Sequence, residues 1–281
     1  MEISDMKKAL AILLLALIVL ISPKFASAAK KANFNIPTPP SIPTPPDIPD
    51  LPEIPEFSGI YRDPVYRNLL VRVYVHDLGE RNRHLNTNNA NSCEDPQSSA
   101  VVDRTNWRLP ASNWYYNLNP SSVPASVGTT NLSTISGQGF SAWTNILLNS
   151  SSDPTILRGQ DTTKVKNSYD RLNIIAWGRT SGRALATTYI RYYTGSGLVV
   201  DVDTIMNNRI SWSLSTASCG DPNSYDAQGV LTHEQGHWFG LDDEYSQDYI
   251  NNTMYGYGIK GDLKARTLTL GDELGVQAIY P

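Results

Sequence analysis

Residues 233–243, HEQGHWFGLDD, place His233 and His237 four positions apart, with Glu234 directly after the first of them. Side chains four residues apart on a helix lie one above the other, so the two imidazoles would face a single ion. Two imidazoles leave positions around that ion for a third protein ligand and for a water molecule, whose proton Glu234 can accept. The stretch therefore predicts a helix with a catalytic zinc site.

The turn after this helix supplies candidates for the third ligand. Gly240 can adopt a positive φ, which would end the helix and return the chain beneath the ion. A ligand three residues past Gly240 could then reach the ion, and Asp243 stands there. Asp242 and Glu244 are the alternatives. Only Asp243 has the spacing of the known extended form of this zinc motif, in which the third ligand follows the glycine by three residues. We predict that Asp243 is the third ligand.

The sequence around the motif mixes strand and helix patterns. Segments rich in β-branched and aromatic residues, which predict strands, lie at 114–118, 171–177, 184–190 and 198–203. Patterns that suit helices lie at 130–148, 226–239 and 272–279. The mixture predicts an α/β domain at residues 93–281, which is large enough to bury one core.

The amino-terminal residues have the composition of a secretory signal. Lys7 and Lys8 precede an apolar run at 9–21, and small residues follow at 26–29, so residues 1–28 are predicted to be a cleaved signal peptide. As a helix the run would span about 20 Å, less than the roughly 30 Å of a membrane core, so an uncleaved anchor is the weaker alternative. We expect a protein that is secreted or tethered at the cell surface, with no membrane span in its mature form.

Two further segments precede the α/β domain. Residues 29–57 are rich in proline and predict a solvated polyproline II spacer, either a stalk or part of a discarded leader. Residues 58–92 contain a strand-like alternation at 69–78 followed by a polar, turn-rich stretch. They are either an amino-terminal extension of the domain or a short prosegment, and the sequence leaves both open.

Charge, cysteines and the remaining histidines limit the other possibilities. The net charge of −4 is spread along the chain without a basic stripe, so neither nucleic acid nor an anionic membrane is an expected partner. Two cysteines in an exported protein predict a Cys93–Cys219 disulfide, with two free thiols as the alternative. His76 and His84 lie outside the zinc motif and are expected to be polar surface residues.

These features resemble the metzincin clan of zinc metallopeptidases and, within it, the matrixin-like branch. Gly240 with a ligand at position 243 fits the elongated motif of the clan, and Thr253-Met254-Tyr255 resembles its Met-turn. Residues 270–280 are similar to the closing helix of matrixins. The similarity extends over most of residues 105–281.

The resemblance implies a fold and a way of binding substrate. It implies a twisted, mostly parallel sheet of five strands with one antiparallel edge strand, and about three helices. The edge strand, for which residues 184–190 are our candidate, would pair with an extended peptide substrate. Met254 would form a hydrophobic floor beneath the metal, and Tyr257 at most a pocket wall.

The sequence also departs from the matrixin pattern. Matrixins usually have histidine as the third ligand, where this chain has Asp243. The chain has 4 histidines in all, too few for the structural zinc of the family, so we expect one zinc ion, and calcium is possible but has no support in the sequence. Cys219-Gly220-Asp221 faintly resembles the latency motif of matrixins, but it lies inside the catalytic domain, so the disulfide is the preferred interpretation.

The sequence thus predicts a secreted zinc metalloendopeptidase, acting as a monomer on protein substrates, with Glu234 as the general base. Two alternatives stay open. One is a non-catalytic cell-surface binding module that zinc merely stabilises. The other is a protease of narrow scope, which processes its own leader or a single surface protein.

Overall fold

The computed structural model describes residues 53–79, 93–148, 150–216 and 219–281, all within the unit Asp50–Pro281. The predicted signal peptide, most of the proline-rich segment and His84 lie outside the described residues. Among the residues described, no helix is both long enough and apolar enough to cross a membrane.

A seven-stranded sheet forms the centre of the described chain, in the order β1-β2-β6-β7-β5-β3-β4. Its strands are β1 Gly59–Arg62, β2 Leu69–Asp77, β3 Asn113–Leu118, β4 Thr155–Asp161, β5 Ile174–Gly178, β6 Ala184–Tyr193 and β7 Val199–Asn207. The pairs β1–β2, β2–β6 and β6–β7 are antiparallel, whereas β7–β5, β5–β3 and β3–β4 are parallel. Two short strands, β8 Trp212–Ser213 and β9 Tyr225–Asp226, pair separately.

Three α-helices accompany the sheet. They are α1 Asn131–Thr144, α2 Ala227–Trp238 and α3 Leu270–Gln277. Helices α1 and α2 pack closely because Gly139 has no side chain; a Cβ there would lie 1.9 Å from Oε1 of Gln235. The indole of Trp143 donates a hydrogen bond to the carbonyl of Thr232 at 2.8 Å and joins the same two helices.

The hydrophobic core is divided by the sheet. The larger cluster lies on the face with the helices and includes Trp143, Trp238 and Phe239. A smaller cluster on the opposite face contains Val71 and Val73 of β2 together with residues of β5, β6 and β7. Because the central strands are covered on both faces, β5, β6 and β7 are buried along almost their whole length.

The α/β class predicted from the sequence is confirmed, and every predicted strand and helix of residues 93–281 overlaps an observed one. The alternation at 69–78 is strand β2. The sheet has seven strands rather than the five expected, because β1 and β2 extend it beyond β6. Strand β4 was not predicted, because its mostly half-buried and exposed residues lack a clear apolar period.

The prediction that residues 184–190 form a sheet edge is wrong. Strand β6 pairs with β7 on one side and with β2 on the other, where Arg72, Tyr74 and His76 lie opposite Ile190, Thr188 and Ala186. The edge expected to receive a peptide is therefore occupied by the segment whose role the sequence left open.

The predicted disulfide between Cys93 and Cys219 is present. It joins the start of the described domain to the loop that precedes β9 and α2. A bridge at this position shortens the unfolded chain by closing a loop across 126 positions.

Candidate metal centre

Helix α2 is held in place at both ends. At its start, Oδ2 of Asp226 accepts a hydrogen bond from the amide of Gly229 at 2.7 Å, which satisfies one of the free N–H groups of the first turn. Arg266 pairs with the same carboxylate. Just past its carboxyl end, Gly240 has φ +99°, and a Cβ there would lie 2.7 Å from the carbonyl oxygen of Trp107. A glycine is needed at this turn on both grounds.

The turn brings Asp243 to the two histidines of the helix. Oδ1 of Asp243 lies 3.1 Å from Nε2 of His233 and 3.4 Å from Nε2 of His237. The two imidazole rings are perpendicular, with centroids 4.9 Å apart. The side chain of Asp243 is 2 % exposed, and its Oδ2 accepts a hydrogen bond from the hydroxyl of Tyr245 at 3.1 Å.

The two alternative ligands point elsewhere. Asp242 is 40 % exposed and forms a 3.0 Å ion pair with Arg72. Oε1 of Glu244 accepts a hydrogen bond from the amide of Asp103 at 2.7 Å. Of the three neighbouring carboxylates, only that of Asp243 converges on the histidines.

Hydrogen bonds to backbone carbonyls fix the orientation of both imidazoles. Nδ1 of His233 lies 2.8 Å from the carbonyl oxygen of Thr253, and Nδ1 of His237 lies 2.9 Å from that of Leu241. A carbonyl oxygen can only accept, so each Nδ1 has the proton and each neutral ring presents the lone pair of Nε2 toward Asp243. This is the arrangement in which histidine binds a metal.

The three converging atoms fit a divalent cation. Nε2 of both histidines and Oδ1 of Asp243 are buried and have no hydrogen-bond partner. An unsatisfied buried polar atom costs about 1–3 kcal/mol, so three at one point need a ligand. Two imidazole nitrogens and one carboxylate oxygen are a donor set that zinc accepts with a further position left open.

The electrostatics of the cluster favour an anionic Asp243. Burial alone would raise the pKa of Asp243, but the neighbouring imidazoles of His237 and His233 outweigh burial, so its pKa lies well below the usual value. Burial lowers the pKa of His233, but Asp243 and Glu234 outweigh burial and raise it, so a metal ion at this point would compete with a proton for His233. The aspartate is thus anionic at neutral pH, as a metal ligand must be.

Glu234 lies beside the cluster with one oxygen held and one free. Its Oε2 accepts a hydrogen bond from the hydroxyl of Thr188 at 2.5 Å, and Thr188 lies 2.7 Å from the hydroxyl of Thr204. The indole of Trp238 donates to Thr204 at 2.9 Å. Oε1 of Glu234 has no hydrogen-bond partner and lies 3.4 Å from Nδ1 of His76.

The pKa of Glu234 is lowered although the residue is buried. Burial raises the pKa, but the contact with His76 and the charges of His233 and His237 outweigh burial. Glu234 is therefore a carboxylate at neutral pH, able to accept a proton through Oε1.

Met254 packs against the middle of helix α2. It is fully buried, and a Cβ on Gly236 would lie 2.2 Å from its sulfur. The amides of Thr253 and Met254 donate to the carboxylate of Asp272, which fixes this turn to the start of α3. Met254 thus supports the helix directly beside His237. Tyr257 contacts the rings of Tyr245 and Tyr255 edge-on.

The prediction that His76 is a surface residue is wrong. His76 is 4 % exposed, and its ring lies 4.0 Å from that of His233. Two positions earlier in β2, Tyr74 stacks on His237 with ring centroids 3.7 Å apart and planes 5° from parallel. The alternation of residues 69–78 was the signal that could have placed both side chains on one face.

Comparison of the chain with protein-family models gives no match, and comparison with curated proteins gives none either. A functional proposal therefore depends on the chemistry of the site. The site contains three converging side chains that could hold a metal ion, beside a buried carboxylate with one free oxygen.

Proposed function

We propose that this chain is a zinc-dependent metalloendopeptidase, secreted or held at the cell surface. In this proposal His233, His237 and Asp243 bind one zinc ion, and Glu234 is the general base. The observation that supports it most is the convergence of three unsatisfied buried atoms next to a carboxylate whose Oε1 is also unsatisfied. A site built only to bind metal has no use for that fourth group.

The sheet supports the resemblance to matrixin-like metzincins. Strands β3 to β7 form the order β6-β7-β5-β3-β4, in which β6 alone is antiparallel to its neighbour. This order agrees with the sheet that the resemblance implies, which has five mostly parallel strands and one antiparallel strand among them. The proposal regards β1 and β2 as an addition to that arrangement.

Zinc, when bound, would supply Lewis-acid activation of water and polarisation of the scissile carbonyl. The protein provides the proton transfers. Thr188 holds Oε2 of Glu234, so Oε1 is directed into the site and accepts a proton from water. The same oxygen then delivers that proton to the departing amine. Met254 and the two backbone carbonyls keep the imidazoles in position throughout.

Two other functions are less well supported. A non-catalytic module stabilised by zinc would be expected to close its site with four protein ligands, whereas Asp243 and two histidines leave a position open. A protease of narrow scope would have the same site and would differ only in its substrates. Cleavage of casein distinguishes broad from narrow specificity.

Zinc content tests the ligands. Asp243→Ala is expected to lose most of its zinc, while the matched variant Asp242→Ala keeps one zinc ion per chain, because Asp242 pairs with Arg72 instead. Glu234→Gln is expected to keep zinc and to lose at least about a hundredfold in the rate of casein cleavage, because the amide cannot accept the proton. Equal zinc in both aspartate variants, or an active Glu234→Gln protein, contradicts the proposal.

A further inference from the structure

Strand β2 pairs with β6, and β6 is the strand of the sheet that borders the site. It pairs antiparallel with β6 from Leu69 to Asp77, and Thr188 of β6 is the residue that holds Glu234. Any extended peptide that reaches Glu234 along β6 would occupy the same backbone hydrogen bonds. Strand β2 and such a peptide therefore exclude each other.

The end of β2 is also hydrogen-bonded on its other side. Asp77 pairs in parallel with Tyr257, and its carbonyl accepts a hydrogen bond from the amide of Gly258 at 3.0 Å. Tyr257 and Gly258 follow the turn of Met254, which supports helix α2. The backbone of Asp77 thus lies between β6 on one side and residues 257–258 on the other, as a bound peptide would.

Alternate side chains of β2 point into the site. Arg72 pairs with Asp242 at 3.0 Å, beside the proposed ligand. Tyr74 stacks on His237, and His76 lies against His233. The residues between them face the opposite side of the sheet, so the three contacts follow the period of two that a strand imposes.

His76 occupies the position at which Glu234 would act. Its Nδ1 is 3.4 Å from the free oxygen of Glu234, and both of its ring nitrogens are buried without a hydrogen-bond partner. A buried imidazole with two unsatisfied nitrogens is unfavourable for folding alone. Its presence beside the general base points to a role at the site.

We propose that β2 is an intramolecular occupant of the peptide groove, which a substrate must displace from residues 74–77 before the site can act. This inference rests on the proposed function, since it identifies the groove as one that receives extended peptides. The protein is then kept inactive by a strand of its own sheet. Side-chain contacts from Tyr74 and His76 hold the site closed, while the far face of β2 holds the strand to the domain.

A peptide-binding experiment on the full mature chain tests the inference. The probe is a fluorescently labelled synthetic peptide with the sequence of residues 68–78, NLLVRVYVHDL. The Tyr74→Ala/His76→Ala double variant is expected to bind it at least about tenfold more tightly than the wild type, because a weaker internal competitor leaves the groove open for a larger fraction of the time. Binding is measured by fluorescence polarisation.

Val75→Ala is the matched control. Val75 lies between the two substituted residues but packs against the cluster on the far face of the sheet. Because Val75 is only partly buried and contacts neither Glu234 nor the three proposed ligands, the Val75→Ala variant is expected to gain peptide affinity by about threefold at most, less than the double variant. Equal affinity of wild type, double variant and control overturns the inference.

Arg72→Ala protects the test against misfolding. Arg72 belongs to neither hydrophobic cluster, so its replacement is less disruptive than that of the fully buried Tyr74, and it removes the contact with Asp242 from the same face. The Arg72→Ala variant is expected to bind the peptide a few fold more tightly than the wild type. If the double variant does not fold, an Arg72→Ala variant with wild-type peptide affinity overturns the inference. Hydrogen exchange adds a second measurement: the amides of β2 should exchange faster when the peptide is bound, and unchanged exchange contradicts displacement.

Parallel measurements separate this inference from the proposed function. If the double variant gains peptide affinity and contains zinc but cleaves no casein, the peptidase proposal fails and the role of β2 stands. If the wild type cleaves casein, Glu234→Gln does not, and the double variant gains neither affinity nor rate, the role of β2 fails and the peptidase proposal stands.

Discussion

Thr188→Val tests how the general base is held. The indole of Trp238 can only donate, so its 2.9 Å hydrogen bond makes Thr204 an acceptor. Thr188 donates its only hydroxyl proton to Oε2 of Glu234 at 2.5 Å, so Thr204 is the donor in the 2.7 Å hydrogen bond between the two threonines. The direction of the chain is fixed from the indole to the carboxylate. Valine matches threonine in shape and removes only the hydroxyl.

The loss of stability expected for Thr188→Val follows from this chain of hydrogen bonds. A hydrogen bond to a charged group contributes about 1.5–3 kcal/mol, and Thr188 is fully buried, so water cannot replace it. We expect the free energy of unfolding to fall by about 2 kcal/mol, which for a domain of this size lowers Tm by roughly 4–8 °C. Because Glu234 is then free to rotate, kcat should fall by about 10–100-fold.

The assay compares Thr188→Val with Thr188→Ser, which keeps the hydroxyl. Both are measured in the Tyr74→Ala/His76→Ala background, where the groove is expected to be open. Zinc content should stay at one ion per chain in both, because Thr188 contacts none of the three ligands. The serine variant should retain most of the kcat. A valine variant with the kcat and Tm of its parent would show that this hydroxyl does not position Glu234.

Two further predictions concern stability. Replacing Cys93 and Cys219 by serine should lower the free energy of unfolding by about 5 kcal/mol, from the chain entropy of a loop across 126 positions, and a loss below about 1 kcal/mol in urea titrations contradicts this origin. Burial raises the pKa of Asp201 from 3.8 to about 6, although Arg191 opposes it, so the folded state binds more protons than the unfolded state between these pH values. The stability contributed by Asp201 is therefore present below pH 4 and is lost as the pH rises through 6. Relative to the Asp201→Asn variant, the free energy of unfolding of the wild type should fall by up to about 3 kcal/mol from pH 4 to 7. A rise relative to that variant contradicts the assignment.

The convergence of His233, His237 and Asp243 was predictable because its determinants are local. Helix geometry alone places the two histidines on one face and lets a glycine end the helix just after them. The observed helix Ala227–Trp238 and the φ of Gly240 agree with that geometry. The choice of Asp243 over its neighbours needed the known motif, because spacing along a turn does not fix which carboxylate faces inward.

The contacts of His76 and Thr188 were not predictable in the same way. They depend on the register between strands that are far apart in sequence, with Tyr74 opposite Thr188 and Thr188 opposite Thr204. Alternation in residues 69–78 predicts a strand with Tyr74 and His76 on one face, but neither its partner strand nor the side of the sheet on which that face lies. Threonine is common in strands, so a threonine in a strand pattern does not by itself indicate that its hydroxyl contacts a carboxylate.

The two faces of β2 have different roles in its attachment. Val71 and Val73 are fully buried in the far cluster, and each contributes on the order of 2 kcal/mol when removed from water. The ion pair of Arg72 with the partly exposed Asp242 contributes less than about 1 kcal/mol. Strand β1 pairs only with residues 70–73, so beyond them the outer side of β2 has isolated hydrogen bonds in place of a strand pair, from the amide of Val75 to Oγ of Ser58 and from the amide of Gly258 to the carbonyl of Asp77, both at 3.0 Å.

It follows that opening should begin at the carboxyl end of β2. Separating residues 74–77 from β6 exposes Tyr74 and His76 but leaves Val71 and Val73 buried, so it costs less than releasing the whole strand. A peptide that recovers the hydrogen bonds of β6 and Gly258 offsets most of this cost. The same chain can therefore keep β2 in its fold and still admit a substrate, provided that the substrate enters from the Asp77 end of the groove.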